Sequence, residues 1–217
     1  MTLELGILVS GSGSNLQAIL DAVAAGRLDA RVRLVVSNRP GVPALARAEA
    51  AGVPAQVLDH RRFADREAFD EALADRLEAA GCEWIACAGF MRILGAPMLE
   101  RFAGRILNVH PALLPSFPGM HAPAQALSAG VRVSGCTVHL VDAGVDTGPI
   151  LAQAAVPVRP DDDPARLTAR IQAQEHRLYP QVLQWIAEGR LRRGETGVYL
   201  DAPVGEGALL VPRPEPS

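Results

Sequence analysis

The stretch LELGILVSGSGSNL, residues 3–16, decides the fold expected for this chain. An apolar run interrupted only by Glu4 and Gly6 predicts a buried strand, and the glycine-rich segment after it leads into a helical pattern at residues 16–25. In such a unit the glycines let the backbone approach a ligand, and the free N–H groups at the helix start attract an anion. A phosphate site is therefore predicted, although a tight turn without a ligand fits the same residues.

The loop does not match the dinucleotide fingerprint. Counted from Gly11, the third glycine of GxGxxG falls on Leu16, and the second predicted strand ends in Ser37-Asn38-Arg39 without the acidic residue that binds a ribose. A short loop rich in Ser and Asn suits one terminal phosphate better than a pyrophosphate.

Outward from this unit, strand and helix patterns alternate through the first half of the chain. The predicted strands are 31–37, 55–58, 84–88 and the apolar run before His110, and the predicted helices are 43–51, 65–80 and 97–103. Helical crossovers of this length imply a parallel sheet, whose ligands bind at the carboxyl ends of the strands.

The second half of the chain predicts a different pairing. The elements expected there are a helix at 121–129, strands at 133–141, 149–158 and 197–200, and a helix at 164–188. The first two of these strands have so short a connection that antiparallel pairing is expected. Asp163 predicts the N-cap of the long helix and Pro180 a kink within it. We expect one α/β domain, residues 1–200, with an edge strand at its end and a Pro/Gly-rich mobile tail, residues 201–217.

Composition excludes several classes of function. Of the 217 residues 49% are hydrophobic, yet no run approaches the roughly 20 residues of a membrane span and no signal peptide is present, so a compact cytoplasmic protein is expected. The net charge of -3 and the scattered arginines give no reason to expect nucleic-acid binding. The three cysteines lack CxxC spacing, which argues against disulfides and a metal site. All 21 basic residues are arginine, which excludes a Schiff-base lysine.

A second stretch, RILNVHPALLP at residues 105–115, carries the candidate chemistry. Strand side chains alternate, so Asn108 and His110 point to the same side and place an amide donor beside an imidazole, which suits polarisation of a carbonyl. A polar strand end without catalytic function fits equally well. The abrupt turn after this strand predicts a cis peptide bond at Leu114-Pro115.

The acidic loop DAGVDTG, residues 142–148, follows the alternating strand of the second half. It lacks the closing glutamate and the ligand spacing of a calcium loop, so a functional carboxylate is the better interpretation. His139, inside the preceding strand, is interpreted as a hydrogen-bonded strand histidine rather than as a catalyst.

Five segments together resemble one family over nearly the whole chain. They are GSGSN after the first strand, AGFMRIL, ILNVHPALLPSFPGMHA, SGCTVHLVDAGVDTGPI and the EHRLYP of the last helix. These segments resemble the phosphoribosylglycinamide formyltransferases, folate-dependent formyltransferases of purine biosynthesis. The resemblance implies a Rossmann-like formyltransferase fold and transfer of formyl from 10-formyltetrahydrofolate, a co-substrate, to the amine of glycinamide ribonucleotide.

The resemblance also implies roles for particular residues. Asn108 and protonated His110 would donate hydrogen bonds to the developing oxyanion, and Asp146 would raise the His110 pKa and help to move a proton through a water. The other implied site residues are Gly13, Ser14 and Asn15 for the phosphate, Gln172 and Glu175 for the ribose, and Arg66, Met91, Arg92, Ile93, Leu94 and Asn108 for the folate. No metal is implied, and the partners are small molecules, with a monomer or homodimer expected. Departures at Ser116 and at residues 122–124 affect only the rim.

Two other functions remain compatible with these residues. In a formyltetrahydrofolate hydrolase, water replaces the amine; such enzymes usually carry an additional N-terminal domain, and this sequence begins directly at its first strand. A nucleotide-binding regulatory protein with a degenerate site would keep the glycine loop without needing Asn108, His110 and Asp146 together.

Overall fold

Strands and helices alternate along residues 2–195 and 197–202, the part of the chain that this computed structural model describes. In chain order they are β1 Leu3–Val9, α1 Ser14–Ala24, β2 Ala30–Ser37, α2 Pro43–Ala50, β3 Ala55–Val57, α3 Arg66–Ala79, β4 Trp84–Cys87, α4 Ala96–Arg101, β5 Ile106–His110, α5 Ala122–Ser128, β6 Val133–Leu140, β7 Ile150–Pro157, α6 Pro164–Ala187, β8 Leu191–Gly194 and β9 Gly197–Leu200. A 3₁₀ turn, His60–Arg62, precedes α3. The predicted α/β class is confirmed.

The main sheet has seven strands in the order β3-β2-β1-β4-β5-β6-β7. Strands β1 to β5 pair in parallel, whereas β6 is antiparallel to both β5 and β7, as predicted. From β1 the chain builds outward to β3 on one side and then returns to place β4 on the other side. Such a reversal of strand order leaves a crevice at the carboxyl ends of the two central strands, where open α/β sheets bind ligands.

Helices cover both faces of this sheet. One apolar cluster joins the sheet to α1 and α6, and the other joins it to α3 and α4. Tyr179 of α6 is fully buried, and its hydroxyl lies 3.2 Å from the carbonyl oxygen of Cys87 and 3.1 Å from that of Leu107. Burying a side chain of this kind stabilises the fold by about 1.5–3 kcal/mol, and the hydroxyl fixes α6 against the ends of β4 and β5.

Most predicted boundaries agree with the structure, with a few instructive differences. Helix α1 begins at Ser14 because Gly13, with a φ of 73°, is its N-cap. Asp163 caps α6, as predicted, by accepting the Arg166 N–H at 2.8 Å, and Pro180 lies within this continuous helix. The peptide bond Leu114-Pro115 is cis, as predicted.

The strand expected at residues 197–200 is present, but it does not form an edge of the main sheet. Strand β9 does not join the main sheet; it pairs antiparallel with β8 in a separate two-stranded sheet. The sequence pattern did not predict β8, because two of its four residues are exposed arginines that interrupt any alternation of apolar and polar residues. Of the predicted tail, residues 203–217 lie outside the described residues. No α-helix in the described part is both long and apolar enough to cross a membrane.

Candidate active site

Two polar side chains of β5 line one cavity at the carboxyl edge of the sheet. Asn108 and His110 lie two positions apart on the strand, so their side chains share a face, as predicted. Both contribute to a cavity of about 690 Å³. The ring of His110 is buried, whereas Asn108 is half-buried and accessible from the cavity. The strand thus presents one fixed ring and one exposed amide to the same space.

Both ring nitrogens of His110 face hydrogen-bond acceptors. Nδ1 lies 3.2 Å from Oδ2 of Asp146, and Nε2 lies 2.8 Å from the carbonyl oxygen of Phe117. A neutral ring has only one N–H, so it would turn a lone pair toward one of these oxygens. The doubly protonated imidazolium satisfies both acceptors, and this is the form that can act as a proton donor.

Asp146 reaches the two β5 side chains from the loop between β6 and β7. Besides facing His110, its carboxylate accepts the Gly119 N–H at 2.8 Å, and its Oδ1 lies 3.4 Å from Nδ2 of Asn108. Burial raises the pKa of Asp146, but the neighbouring His139 and His110 rings and the hydrogen bond from Gly119 outweigh burial, so this pKa lies below its usual range. Asp146 is therefore ionised at neutral pH.

The loop that carries Asp146 is shaped by its own sequence. Oδ1 of Asp142 accepts the Gly144 N–H at 3.0 Å and the Thr147 hydroxyl at 2.7 Å, which closes a compact turn. A Cβ on Gly148 would lie 1.9 Å from the carbonyl oxygen of Leu140, so only glycine fits where the loop returns to the sheet. Asp146 itself has a φ of 56°, a conformation that L residues rarely adopt. These constraints aim its carboxylate at β5.

His139 belongs to this cluster, and the sequence did not reveal its contacts. It lies opposite Asn108 in the antiparallel register of β5 and β6. Its Nδ1 is 2.8 Å from the Leu140 carbonyl oxygen, so Nε2 is free to accept the Asn108 amide N–H at 3.2 Å. Nε2 is also 3.6 Å from Oδ1 of Asp146. The prediction of a buried, hydrogen-bonded histidine is correct, but only the strand register shows that its partner is Asn108.

The glycine loop after β1 is held by tight packing against α2. A Cβ on Gly13 would lie 2.7 Å from the Cβ of Ala44, and Ala44 donates its N–H to the Gly11 carbonyl oxygen at 3.2 Å. Arg47, one turn later on α2, donates from Nε to the Ser12 carbonyl oxygen at 2.8 Å. The sequence analysis missed this arginine because nothing local relates residue 47 to the loop. It places a cation beside the predicted phosphate site.

Asn15 connects the glycine loop to α6. Its Nδ2 donates to Oε2 of Glu175 at 2.8 Å, while its buried Oδ1 has no hydrogen-bond partner among the described residues. Burial raises the pKa of Glu175, and the bond from Asn15 opposes this only in part. Gln172 is half-buried one turn earlier on α6, and its side chain forms no hydrogen bond in the described part of the chain. Of the two predicted ribose contacts, the structure thus ties Glu175 to the loop but not Gln172.

The cavity wall is formed by the loop between β4 and α4. All five of the other predicted folate residues line the cavity, namely Arg66, Met91, Arg92, Ile93 and Leu94. Met91 and Ile93 are 59% and 48% exposed, so two large apolar side chains border the cavity without being buried in a core. The volume and the mixture of apolar and cationic groups fit a flat, drug-sized ligand with a negative charge.

Asp70 supports this wall from behind. It is fully buried and its Oδ2 accepts the Gly95 N–H at 2.5 Å. Burial raises its pKa, and the charges of Arg92 and Arg66 lower it in part. The guanidinium of Arg92 lies 4.8 Å from the centre of the Phe69 ring, a cation–π contact. Local sequence patterns do not predict these contacts, because the pattern at residues 65–80 indicates a helix but not which residues lie near it.

No group of three or more His, Cys, Asp or Glu side chains suited to a metal ion occurs among residues 2–195 and 197–202.

Comparisons with known proteins give the family of this chain. The profile of the formyl transferase family matches residues 4–183. The phosphoribosylglycinamide formyltransferase of Escherichia coli strain K12 is 43% identical over 90% of this chain and 92% of its own length. The trifunctional purine biosynthetic protein adenosine-3 of Drosophila melanogaster is 51% identical, and the match covers 86% of this chain. The chain spans only 14% of the length of that relative.

A solved structure shows the same fold. The glycinamide ribonucleotide transformylase 1 of Symbiobacterium toebii superposes with a TM-score of 0.90 at 51% identity, over 92% of this chain and 94% of that one. The family match covers the whole sheet up to β7 and most of α6, and therefore every element that supplies the site. The chain belongs to the phosphoribosylglycinamide formyltransferase family of formyl transferases.

Proposed function

We propose that this chain transfers the formyl group of 10-formyltetrahydrofolate to the amine of N1-(5-phospho-D-ribosyl)glycinamide, a step of purine biosynthesis. The convergence of Asn108, His110 and Asp146 on the wall of one cavity carries the proposal. Membership of the family supports the reaction class, and the glycine loop supports an acceptor that carries a phosphate.

The reaction needs no nucleophile from the protein. The acceptor amine attacks the formyl carbon, and the carbonyl electron pair moves onto the formyl oxygen to give a tetrahedral intermediate. The bond between that carbon and N10 of the folate then breaks, and N10 takes up a proton in place of the one that the amine loses. Atoms and charge balance, with formylated acceptor and tetrahydrofolate as products.

Asn108 supplies the first hydrogen bond to the oxyanion. One of its amide hydrogens is held by His139 at 3.2 Å, while the other faces Asp146 at 3.4 Å, longer than a strong hydrogen bond. That second N–H is free to turn toward a developing negative charge. Removing one donor of this kind typically lowers kcat by about 10² to 10³.

His110 acts as the proton donor and Asp146 holds its charge. The Asp146 carboxylate, 3.2 Å from Nδ1, stabilises the imidazolium, while the Phe117 carbonyl engages Nε2. In the reaction His110 exchanges its contact with the Phe117 carbonyl for one with the formyl oxygen. Asp146 and a water then relay the amine proton to N10, and an ionised carboxylate suits that role.

The two substrates occupy opposite sides of this cluster. The phosphate lies on the N–H groups of Gly13, Ser14 and Asn15, with Arg47 nearby, and Glu175 and Gln172 face the ribose. The pterin lies against residues 91–94, and Arg66 faces the anionic end of the folate. We further propose that residues 1–200 form one domain that acts in the cytoplasm as a monomer or homodimer.

A formyl-transfer assay with and without the ribonucleotide tests the proposal. Purified protein is expected to convert 10-formyltetrahydrofolate to tetrahydrofolate only when glycinamide ribonucleotide is present. Consumption that ignores the ribonucleotide would identify a hydrolase. No consumption under either condition would leave only a binding function and would refute the proposed transfer.

A further inference from the structure

The hydroxyl of Ser10 joins the two loops that the proposed function assigns to different substrates. Ser10 follows β1 directly and opens the glycine loop, and it is only 4% exposed. Its Oγ accepts the backbone N–H of Met91 at 2.9 Å and donates to Oδ1 of Asn38 at 2.5 Å. One side chain therefore bonds the end of β1, the end of β2 and the loop after β4.

The polarity of this chain of bonds is fixed. A backbone N–H can only donate, so Ser10 must accept from Met91 and direct its own hydrogen elsewhere. Oδ1 of Asn38 is that acceptor. Asn38 is fully buried, so bulk water cannot take over this hydrogen bond. His60 then lies with Nδ1 3.0 Å from the Asn38 carbonyl oxygen and 3.4 Å from its Nδ2. The shorter contact, to an acceptor, takes the Nδ1 hydrogen, so this ring anchors the backbone of Asn38.

Packing alone does not hold the loop at Met91. Its side chain is 59% exposed and Ile93 is 48% exposed, so neither is fixed by a core. Leu94 anchors the far end of this loop in the core, and two side chains from outside the loop bond its backbone, Ser10 at Met91 and Asp70 at Gly95. Loss of either bond leaves a backbone N–H without its acceptor, which is costly in a partly buried site.

We infer that Ser10 is a positioning residue for the folate subsite, although it lies in the segment that leads to the phosphate loop. It acts through the backbone of Met91 and touches no reacting atom. The inference rests on the proposed function, because it takes the cavity beside Met91 to be the folate site. It predicts that a change at Ser10 affects the two substrates unequally.

The test compares Ser10→Ala with Ser37→Ala. Ser37 is a fully buried serine at the end of the neighbouring strand β2, but among the described residues its hydroxyl bonds only Arg39, in its own turn. Steady-state kinetics with each substrate varied in turn gives kcat and both KM values. For Ser10→Ala we expect the KM for 10-formyltetrahydrofolate to rise about fivefold to 150-fold, the range for one unpaired buried donor. Its kcat and its KM for the ribonucleotide stay within about twofold, and Ser37→Ala matches the parent in all three values.

Calorimetric titration with tetrahydrofolate provides a measurement that does not depend on turnover. The dissociation constant is expected to rise in Ser10→Ala by the same factor as the KM. If Ser10→Ala does not fold, Ser10→Cys, which keeps a weak acceptor of similar size, carries the test with a smaller selective rise. An unchanged folate KM, or an equal rise in both KM values, overturns the inference. Failure of the parent protein to bind tetrahydrofolate would instead refute the proposed function.

Discussion

Replacing Asp146 with asparagine removes a charge from the centre of the site with little change in shape. The amide oxygen can take the position of Oδ2, where it still accepts the Gly119 N–H and faces His110. The amide nitrogen then lies where Oδ1 was, 3.6 Å from Nε2 of His139, which is an acceptor, and it loses only the long 3.4 Å contact with Nδ2 of Asn108. The variant is therefore expected to fold, and its defect is expected in catalysis.

The size of that defect follows from the distance between the charges. For unit charges 3.2 Å apart, Coulomb's law with an effective dielectric constant of about 20 gives roughly 5 kcal/mol. Even half of this, about 2.5 kcal/mol after screening by water in the open cavity, corresponds to about seventyfold in rate. Losing the proton relay adds to it, so we expect kcat of Asp146→Asn to fall by about 10² to 10³.

The assay is steady-state formyl transfer with both substrates near saturation, followed by measurement of each KM. Both KM values are expected to stay within about threefold, because neither the glycine loop nor the apolar wall is altered. Asp162→Asn is the matched control, since its carboxylate is also buried, 2.6 Å from Arg170, but does not line the cavity. A turnover of Asp146→Asn within tenfold of the parent, or an equal loss in Asp162→Asn, would refute the reasoning.

Acid titration of stability checks the state of Asp146 independently. Its folded pKa lies below the usual value, so the group stabilises the fold above pH of about 4 and loses that contribution as the pH falls through the folded pKa. The stability difference between the parent and Asp146→Asn should therefore shrink as the pH falls below about 4. A difference that instead grows below pH 4 would mean that the carboxylate is not ionised in the folded protein.

Three further predictions concern the glycine loop, α6 and the cysteines. Gly13→Ala should lower the free energy of unfolding by about 2–5 kcal/mol in urea titrations, because of its φ of 73° and its contact with α2, whereas Gly11→Ala, with open space around it, should cost far less. Glu175→Gln should raise Tm at pH 7.5 and not at pH 4. Burial raises the pKa of Glu175 in the folded protein, so its ionised form destabilises the fold as the pH rises through that pKa. The same variant should raise the KM for the ribonucleotide about tenfold. The three cysteines, whose pKa values burial raises to about 11 or 12, should react with thiol reagents at pH 7 only on unfolding; rapid labelling of the folded protein would contradict this.

The parts of the fold that sequence patterns predicted are those set by local periodicity. Alternating strands and helices imply right-handed parallel crossovers, and the short connection around residues 142–148 implies an antiparallel pair. Strand β8 was not predicted, because its residues neither alternate between apolar and polar nor belong to an apolar run. The predicted start of α1 was two residues late because an αL glycine caps the helix directly, and its conformation cannot be read from residue type alone.

In the candidate site, too, local spacing predicted some features, whereas others depend on contacts between distant segments. That Asn108 and His110 share a face follows from the period of a strand, so residue spacing alone was sufficient. The contact between Asn108 and His139 requires the register of β5 and β6, and the approach of Asp146 requires the shape of a glycine-containing loop. Ser10 and Arg47 act on backbone groups of segments distant from them in the chain. A single sequence contains no local signal for such contacts.

The hydrogen bond between Asn15 and Glu175 joins positions 160 residues apart. During synthesis the glycine loop leaves the ribosome first, and its partner on α6 follows only after the rest of the sheet has been made. At roughly 5–20 residues per second, that interval is on the order of 10 seconds or more. Throughout it a nascent chain can form β1 and α1 yet lacks part of the proposed ribonucleotide site. The acceptor should therefore bind only after α6 has packed against the sheet. Ribonucleotide binding by stalled nascent chains should then report that folding is complete.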